Sequence, residues 1–261
     1  MTIEELSLKN CDERVRAVQT TRGTVVAGDN YSQWNLCDYT GDDPQRVLEA
    51  RLLFCRQMEI EPDHLIMPQQ RHTNHLAVID RDFMNAPVEV KKQLLDGIDA
   101  LVTTMPGICI GVNTADCVPI VLADPVQGIV AVAHAGWRGT VGRIADATVK
   151  AMKLLGAKTE DISATMGVSI CADCFEVGDE VVQAFDEAGF DLARIVHRHP
   201  DTGKAHINLQ EANRLTLVNA GLNPANITLP TACSRCHPDR YFSARRLGLD
   251  RGRTFTAIVT E

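Results

Sequence analysis

Much that would define a function class is missing from this sequence. Basic residues are not in excess: 26 Lys and Arg stand against 34 Asp and Glu, a formal charge of −8. That balance argues against a general nucleic-acid binder, which carries a basic face. No apolar run reaches about 18 residues, so no segment reads as a membrane-spanning helix. The first residues lack a basic stretch followed by an apolar one, and the expectation is no secretory leader. No Ser/Gly-rich linker, charge run, low-complexity tract or internal repeat divides the chain, so one domain over residues 1–261 is expected. No His is followed two residues later by Glu and no Pro precedes a C-x-x-C pair, which excludes the usual frame of the zinc nucleobase deaminases. The nine cysteines are an odd number without a leader, which favours reduced thiols and a cytoplasmic setting.

What is present centres on Gly111 to Arg143. Two apolar runs, Val118–Ala123 and Ile129–Ala133, flank Asp124-Pro125-Val126-Gln127-Gly128 and predict two buried strands joined by a tight hairpin. With Pro125 and Val126 as a two-residue loop, Cys117 falls directly opposite His134. Opposed residues have Cβ atoms about 4.5–5.5 Å apart, so a thiolate and an imidazole converge there as a candidate metal site. Asp116, Arg138 and the small residues Ala135, Gly136 and Gly139 surround the pair, and Thr140 is expected to cap a following helix.

Elsewhere the patterning predicts an opening strand at Thr24–Ala27 and a helix from Asp43-Pro44, with Val47, Leu48, Leu52 and Phe54 inward. Strands are expected at Leu65–Met67, Leu76–Ile79, Gly97–Val102, Ile108–Val112, Ser163–Ile170, Ile227–Leu229 and Phe255–Val259. A hairpin spans Arg194 to Ile207, and helices cover Glu176–Ala188 and the segment capped by Asn208. Hairpins interleaved with helices imply an α+β fold of mixed sheets covered by helices.

The segments TADCVPIVLADP and AVAHAGWRGTVGRI resemble the signature blocks of the YfiH family, the laccase-domain or purine nucleoside phosphorylase family. The likeness extends to YSQWNLCDYTGDDP, QQRH, FEVGDEV and the tail from Cys233 to Arg253. It implies a single domain of mixed β-sheets in a sandwich flanked by helices, similar to the cytotoxic-necrotizing-factor-like toxins. It also implies one zinc held by His72, Cys117 and His134, three protein ligands with an open fourth position, as in a catalytic site. His75 is a possible substitute ligand, although in an extended segment it faces away from His72.

The activity implied is phosphorolysis of adenosine, inosine, guanosine or S-methyl-5'-thioadenosine, with adenosine deamination as a second activity. Small-molecule nucleosides and phosphate are then the partners. By motif, Arg51 in VLEAR is the expected phosphate holder, although Ala50 stands where the family more often has Asn. Ser32, Asn35, Gln70, Arg138 and Arg245 are expected at the substrate, Asp116 beside the ligands as an orienting carboxylate, and Tyr241-Phe242 as an aromatic wall. The family's older description as copper oxidases fits poorly: eight His and one H-x-H pair (His197, His199) are too few for a copper cluster. Copper in place of zinc is still compatible with N/S ligands in vitro. Another reading makes Cys117 a nucleophile with His134 as its base, acting on amides of cell-wall precursors. A third is a binding module without catalysis.

Two C-x-x-C pairs, Cys171/Cys174 and Cys233/Cys236, can make a structural zinc site. Their long separation exceeds usual ribbon spacing, so some of these thiols are expected to line the pocket instead.

Overall fold

In a computed structural model that describes residues 1–261, the chain opens with strands β1 (Ile3–Glu5) and β2 (Val15–Thr20) and helix α1 (Pro44–Met58). Strands β3 (Leu65–Ile66) and β4 (Leu76–Ile79) and helices α2 (Arg81–Asn85) and α3 (Val88–Leu95) come next. Four strands follow: β5 (Ala100–Thr103), β6 (Cys109–Thr114), β7 (Val118–Asp124) and β8 (Ile129–Ala135). Then come helices α4 (Trp137–Val141) and α5 (Ile144–Leu154), strands β9 (Ser163–Met166) and β10 (Glu176–Val177), and helices α6 (Asp179–Glu187) and α7 (Leu192–Ile195). The chain ends with β11 (Val196–Arg198), β12 (Ala205–Ile207), α8 (Leu209–Asn219), β13 (Ile227–Thr228), α9 (Ala244–Leu247) and β14 (Thr254–Thr260).

The strands build a five-stranded sheet in the order β1-β2-β14-β6-β3 and a six-stranded sheet in the order β13-β9-β7-β8-β5-β4. A small third sheet is ordered β10-β12-β11. Side-chain alternation sorts the strands into layers. Val121 and Ala123 of β7 and Val130 and Val132 of β8 meet Ala17, Ile110, Val112 and Ile258 of the facing sheet. Their neighbours Ile120, Leu122, Ala131 and Ala133 point the other way, onto Ile144, Val149 and Met152 of α5 and Leu209 and Leu217 of α8. On the far side, Val18, Phe255 and Ala257 pack against Ala50, Phe54 and Met58 of α1. The result is a mixed two-sheet sandwich with helices outside, as expected. Both faces of β7 and β8 are covered, which explains why they read as unbroken apolar runs.

Several local expectations need correction. Thr24–Ala27 forms no strand; the chain opens instead with the β1–β2 pair. In α1 the buried positions are Val47, Ala50, Phe54, Cys55 and Met58, while Leu48 and Leu52 face out. Thr140 caps nothing: it lies inside α4, and its hydroxyl donates to the Gly136 carbonyl. The β7–β8 loop has four residues rather than two, because Asp124 pairs with Ile129. The Asp124 carboxylate accepts from the amides of Val126 (2.9 Å) and Gln127 (3.0 Å), and Gly128 takes the left-handed φ of +66°. His134 therefore pairs with Pro119, and Cys117 lies diagonally from it on the same face. No helix is long and apolar enough to cross a membrane.

Candidate metal centre

His72, Cys117 and His134 offer one ligand atom each, and these three atoms lie within 4.8 Å of one another. They arrive by different routes. His134 stands near the end of β8 and is buried. Cys117 follows Asp116 in the turn that enters β7, where Asp116 has a φ of +88°. His72 occupies the exposed turn between β3 and β4 with a φ of +60°, a conformation that His tolerates better than most residues.

That strained turn is held by Asp99, a fully buried carboxylate just ahead of β5. Its Oδ2 accepts from the amides of Arg71 (3.1 Å) and Thr73 (2.8 Å) and from the Thr73 hydroxyl (2.9 Å). Its Oδ1 accepts from the His72 amide (3.1 Å) and lies 2.6 Å from His134 Nδ1. One carboxylate thus sets the backbone of one candidate ligand and the ring of another. With Nδ1 engaged, His134 presents Nε2, the pattern of a carboxylate-oriented metal ligand. The two imidazole centroids are 4.8 Å apart at 73°, and His72 Nε2 is 3.8 Å from Cys117 Sγ.

The electrostatics favour a metal-binding thiolate. Burial alone would push the Cys117 thiol up, but the His134 charge and hydrogen bond, with help from His72, hold it at about 6. Burial would likewise lower His134, yet the Cys117 thiolate and the Asp99 hydrogen bond raise it to about 9. A dication can replace the proton on that pair. Gly136 keeps the space open: a Cβ there would stand 2.9 Å from Cys117 Sγ and 3.0 Å from His72 Cδ2. Two imidazoles, one thiolate and a glycine cradle fit a zinc-type ion, with the exposed His72 side left for a fourth ligand. His75 is also exposed and is not among the converging ligand atoms.

The expected substrate residues divide. Asn35 is buried: its amide donates to Cys37 O, Thr40 Oγ1 and Asp42 Oδ2, and its Oδ1 accepts from the Cys37 and Arg253 amides. The Ser32 hydroxyl accepts from the Arg22 guanidinium at 2.9 and 2.7 Å. Gln70 is tied to β6, donating to Asn113 O and accepting from Asn113 N, both at 2.8 Å, and from the Tyr39 hydroxyl at 3.1 Å. These three shape the scaffold through polar atoms that the sequence reading aimed at a ligand. Asp116 is similarly engaged, with Ser234 Oγ at 2.6 Å and the Arg245 amide at 2.7 Å on its two carboxylate oxygens. The Arg245 guanidinium donates to Glu176 O (2.9 Å). Arg51 donates to Leu36 O (2.7 Å) and pairs with Asp38 at 3.1 Å, so an acid already neutralises it. Arg138 is exposed, stacks 4.1 Å over Trp137 and has no acidic partner. Tyr241 and Phe242 are buried, with the Tyr241 hydroxyl on Glu4, and form no wall.

Two arginines that the sequence reading passed over are better placed for an anion. Arg251 is buried and feels the charges of Asp116 and Cys117; burial and the neighbouring Arg253 lower its pKa. Arg253 lies 5.8 Å from the Tyr39 ring centroid. Neither pairs with a carboxylate within 4.0 Å, and the Nε of each is buried without a partner, as are both side-chain polar atoms of Asn113. Orphaned buried donors mark a place for a polar ligand, and the Cys117 charge that reaches Arg251 relates that place to the three-donor centre. Their sequence signal was the R-x-R spacing at the head of the last strand, and that of Asp99 was a lone acid beside an apolar run.

Residues 16–261 match the family model described as multi-copper polyphenol oxidoreductase laccase. Adenosine deaminase RL5 from an unknown prokaryotic organism is 56% identical, over 98% of this chain and 98% of its own length. A purine nucleoside phosphorylase of Bacteroides thetaiotaomicron is 39% identical over 92% of this chain and 89% of its own. Among solved structures, the hypothetical protein YfiH of Bacillus licheniformis superposes with a TM-score of 0.88 at 25% identity, covering 98% of this chain and 97% of its own.

Proposed function

Because this chain belongs to the YfiH family, described as multi-copper polyphenol oxidoreductase laccase, we propose that it is a zinc-dependent purine nucleoside enzyme of the cytoplasm. It cleaves nucleosides with phosphate and deaminates adenosine. The observation that carries this reading is the three-donor centre of His72, Cys117 and His134, with the Cys117 charge reaching Arg251, whose buried Nε has no partner and which pairs with no acid. Relatives of this length and identity that are named for those two reactions support it.

In phosphorolysis a phosphate oxygen attacks C1′ of the sugar as the C1′–N9 bond breaks through an oxocarbenium-like state. The bonding electrons leave on N9, which takes a proton as the base departs. A zinc ion bound by the three ligands supplies Lewis acidity and positive charge at the reacting centre. The protein's own part is binding and orientation. Asp99 keeps His134 Nδ1 protonated and Nε2 free, and fixes the turn that aims His72. Arg251 and Arg253 hold phosphate, since a guanidinium presents paired donors to an anion. Arg51 contributes only when Asp38 yields its ion pair, so its share is smaller than its motif implied. Asp116 acts as a positioning residue, joining the tail to the turn before Cys117. Deamination exchanges the C6 amino group for water, releases ammonia and needs no phosphate.

The oxidase description of the family finds little support in this chain. Only one group of three clustered ligands contains His, and it includes neither member of the H-x-H pair, of which His197 stacks on His206 and His199 lies tilted 6.1 Å from the same ring. The thiolate–imidazolium character of Cys117 and His134 does favour a second reading, a nucleophilic dyad. Metal content separates the two.

The test is chromatography of products from adenosine and the purified, zinc-loaded protein, with and without phosphate. Adenine and ribose 1-phosphate are expected only with phosphate, inosine without it, and neither from Cys117→Ala. Equal products from Cys117→Ala, or oxidation of phenols as the sole activity, would overturn the reading.

A further inference from the structure

The two C-x-x-C pairs lie far apart in the chain, yet the fold brings Cys171, Cys174, Cys233 and Cys236 together with all four sulfurs within 4.8 Å of one another. We infer that they form a second metal site, a closed tetrathiolate that holds zinc as a structural ion. Zinc–sulfur bonds of about 2.3 Å place tetrahedral sulfurs about 3.8 Å apart. The Cys174–Cys236 separation of 3.4 Å is near that edge.

The backbone around the cysteines is built as two facing knuckles. Cys171 leads into a 3-10 turn over Ala172–Cys174, closed by Cys174 N donating to Cys171 O at 3.1 Å. Across from it, His237 N donates to Cys233 O at 3.1 Å and closes the turn that carries Cys233 and Cys236. A parallel bridge between Ser169 and Cys233, with Ser234 N donating to Ser169 O at 3.1 Å, sets the knuckles side by side. Chain separation then has no bearing on the spacing. The Cys171 amide donates to Cys233 Sγ at 3.2 Å, an N–H···S contact of the kind that partners a thiolate. His206, itself buried, supports the first knuckle through Nδ1 at 3.3 Å from Ala172 O.

The donor set decides the role. Four sulfurs with no imidazole or carboxylate leave no open position, which is the composition of a structural site, and soft thiolates select zinc over hard cations. The site staples the stretch after β9 to the tail that follows β13. From this staple Ser234 Oγ reaches Asp116 Oδ1, and the Ile170 amide reaches Asp116 O at 2.9 Å. Asp116 immediately precedes Cys117, so the staple holds the wall of the first centre.

The test is metal analysis of the full-length protein purified under reducing conditions. Wild type should carry about two zinc ions per chain, and Cys117→Ala and the double variant Cys174→Ser/Cys236→Ser about one each. Cobalt loaded into Cys117→Ala should show the thiolate charge-transfer bands of a four-sulfur tetrahedral site. Should the double variant fold poorly, a mercurial thiol titration of wild type, releasing zinc in two steps, gives the same count. Failure of the nucleoside reading leaves a distinct signature, a single zinc lost in the double variant and kept in Cys117→Ala. The inference is overturned by a Cys117→Ala protein without metal, by four thiols that react freely in the native state, or by a disulfide among them in mass spectra.

Discussion

Replacing Asp99 with Asn isolates the group on which the geometry of the first centre depends. The carboxylate accepts from five donors: three backbone amides, the Thr73 hydroxyl and His134 Nδ1. An amide has the same shape but turns one acceptor oxygen into a donor, so one side of that set faces N–H against N–H. A single buried, charged hydrogen bond left unmade costs about 1.5–3 kcal/mol. With His134 also losing its charged partner, the sum is about 3–5 kcal/mol. For a chain of this size the loss should lower Tm by roughly 6–15 °C. His134 also loses the acceptor that selects its tautomer, so zinc affinity should fall about 10–100-fold in a chelator competition. Thermal scans and zinc titration of Asp99→Asn check both figures. Wild-type zinc affinity in a folded Asp99→Asn protein would refute the argument that this carboxylate orients the ligands.

Arg251→Ala and Arg253→Ala should each raise KM for phosphate about tenfold or more, and Arg51→Ala, already neutralised by Asp38, should raise it less; the opposite ranking in phosphate-dependence assays would return the phosphate to Arg51. Gly136→Ala places a Cβ 2.9 Å from Cys117 Sγ and should expel most zinc from the first centre while leaving the fold intact by circular dichroism; full zinc content would contradict the cradle. The pH dependence of zinc binding follows from the same pair. With His134 raised to about 9 and Cys117 lowered to about 6, the metal-free pair between those values is thiolate and imidazolium and carries one proton. Zinc must displace that proton, so its affinity should rise about tenfold per pH unit from pH 6.5 to 8.5 and level off above pH 9. A flat profile across that range would show that the proton is not there.

The sandwich was legible because its central strands are long, apolar and covered on both faces, and because helices such as the one capped by Asn208 carry local signals. Of the three candidate ligands, His72 was legible only through motif resemblance, whereas Cys117 and His134 were also legible in the hairpin. The hairpin count that first paired Cys117 with His134 had the wrong register, since the loop length depends on the Asp124 side chain capping its own turn. Alternation kept both on one face, so the convergence survived the error. Polar residues were the least legible. Asn35, Ser32 and Gln70 have the same composition whether they face a ligand or a backbone, and only the fold shows which. Asp99 hid inside a strand signal, although an acid beside an apolar run needs partners when buried. The cysteine quartet hid because spacing along the chain says nothing about a bridge between Ser169 and Cys233.

The most direct test of the metal centre is an anomalous difference map at the zinc edge from crystals of the purified protein. The account predicts a peak bounded by His72 Nε2, Cys117 Sγ and His134 Nε2, with no fourth protein ligand. A map without density between those three side chains, from protein that still turns over adenosine, would contradict it.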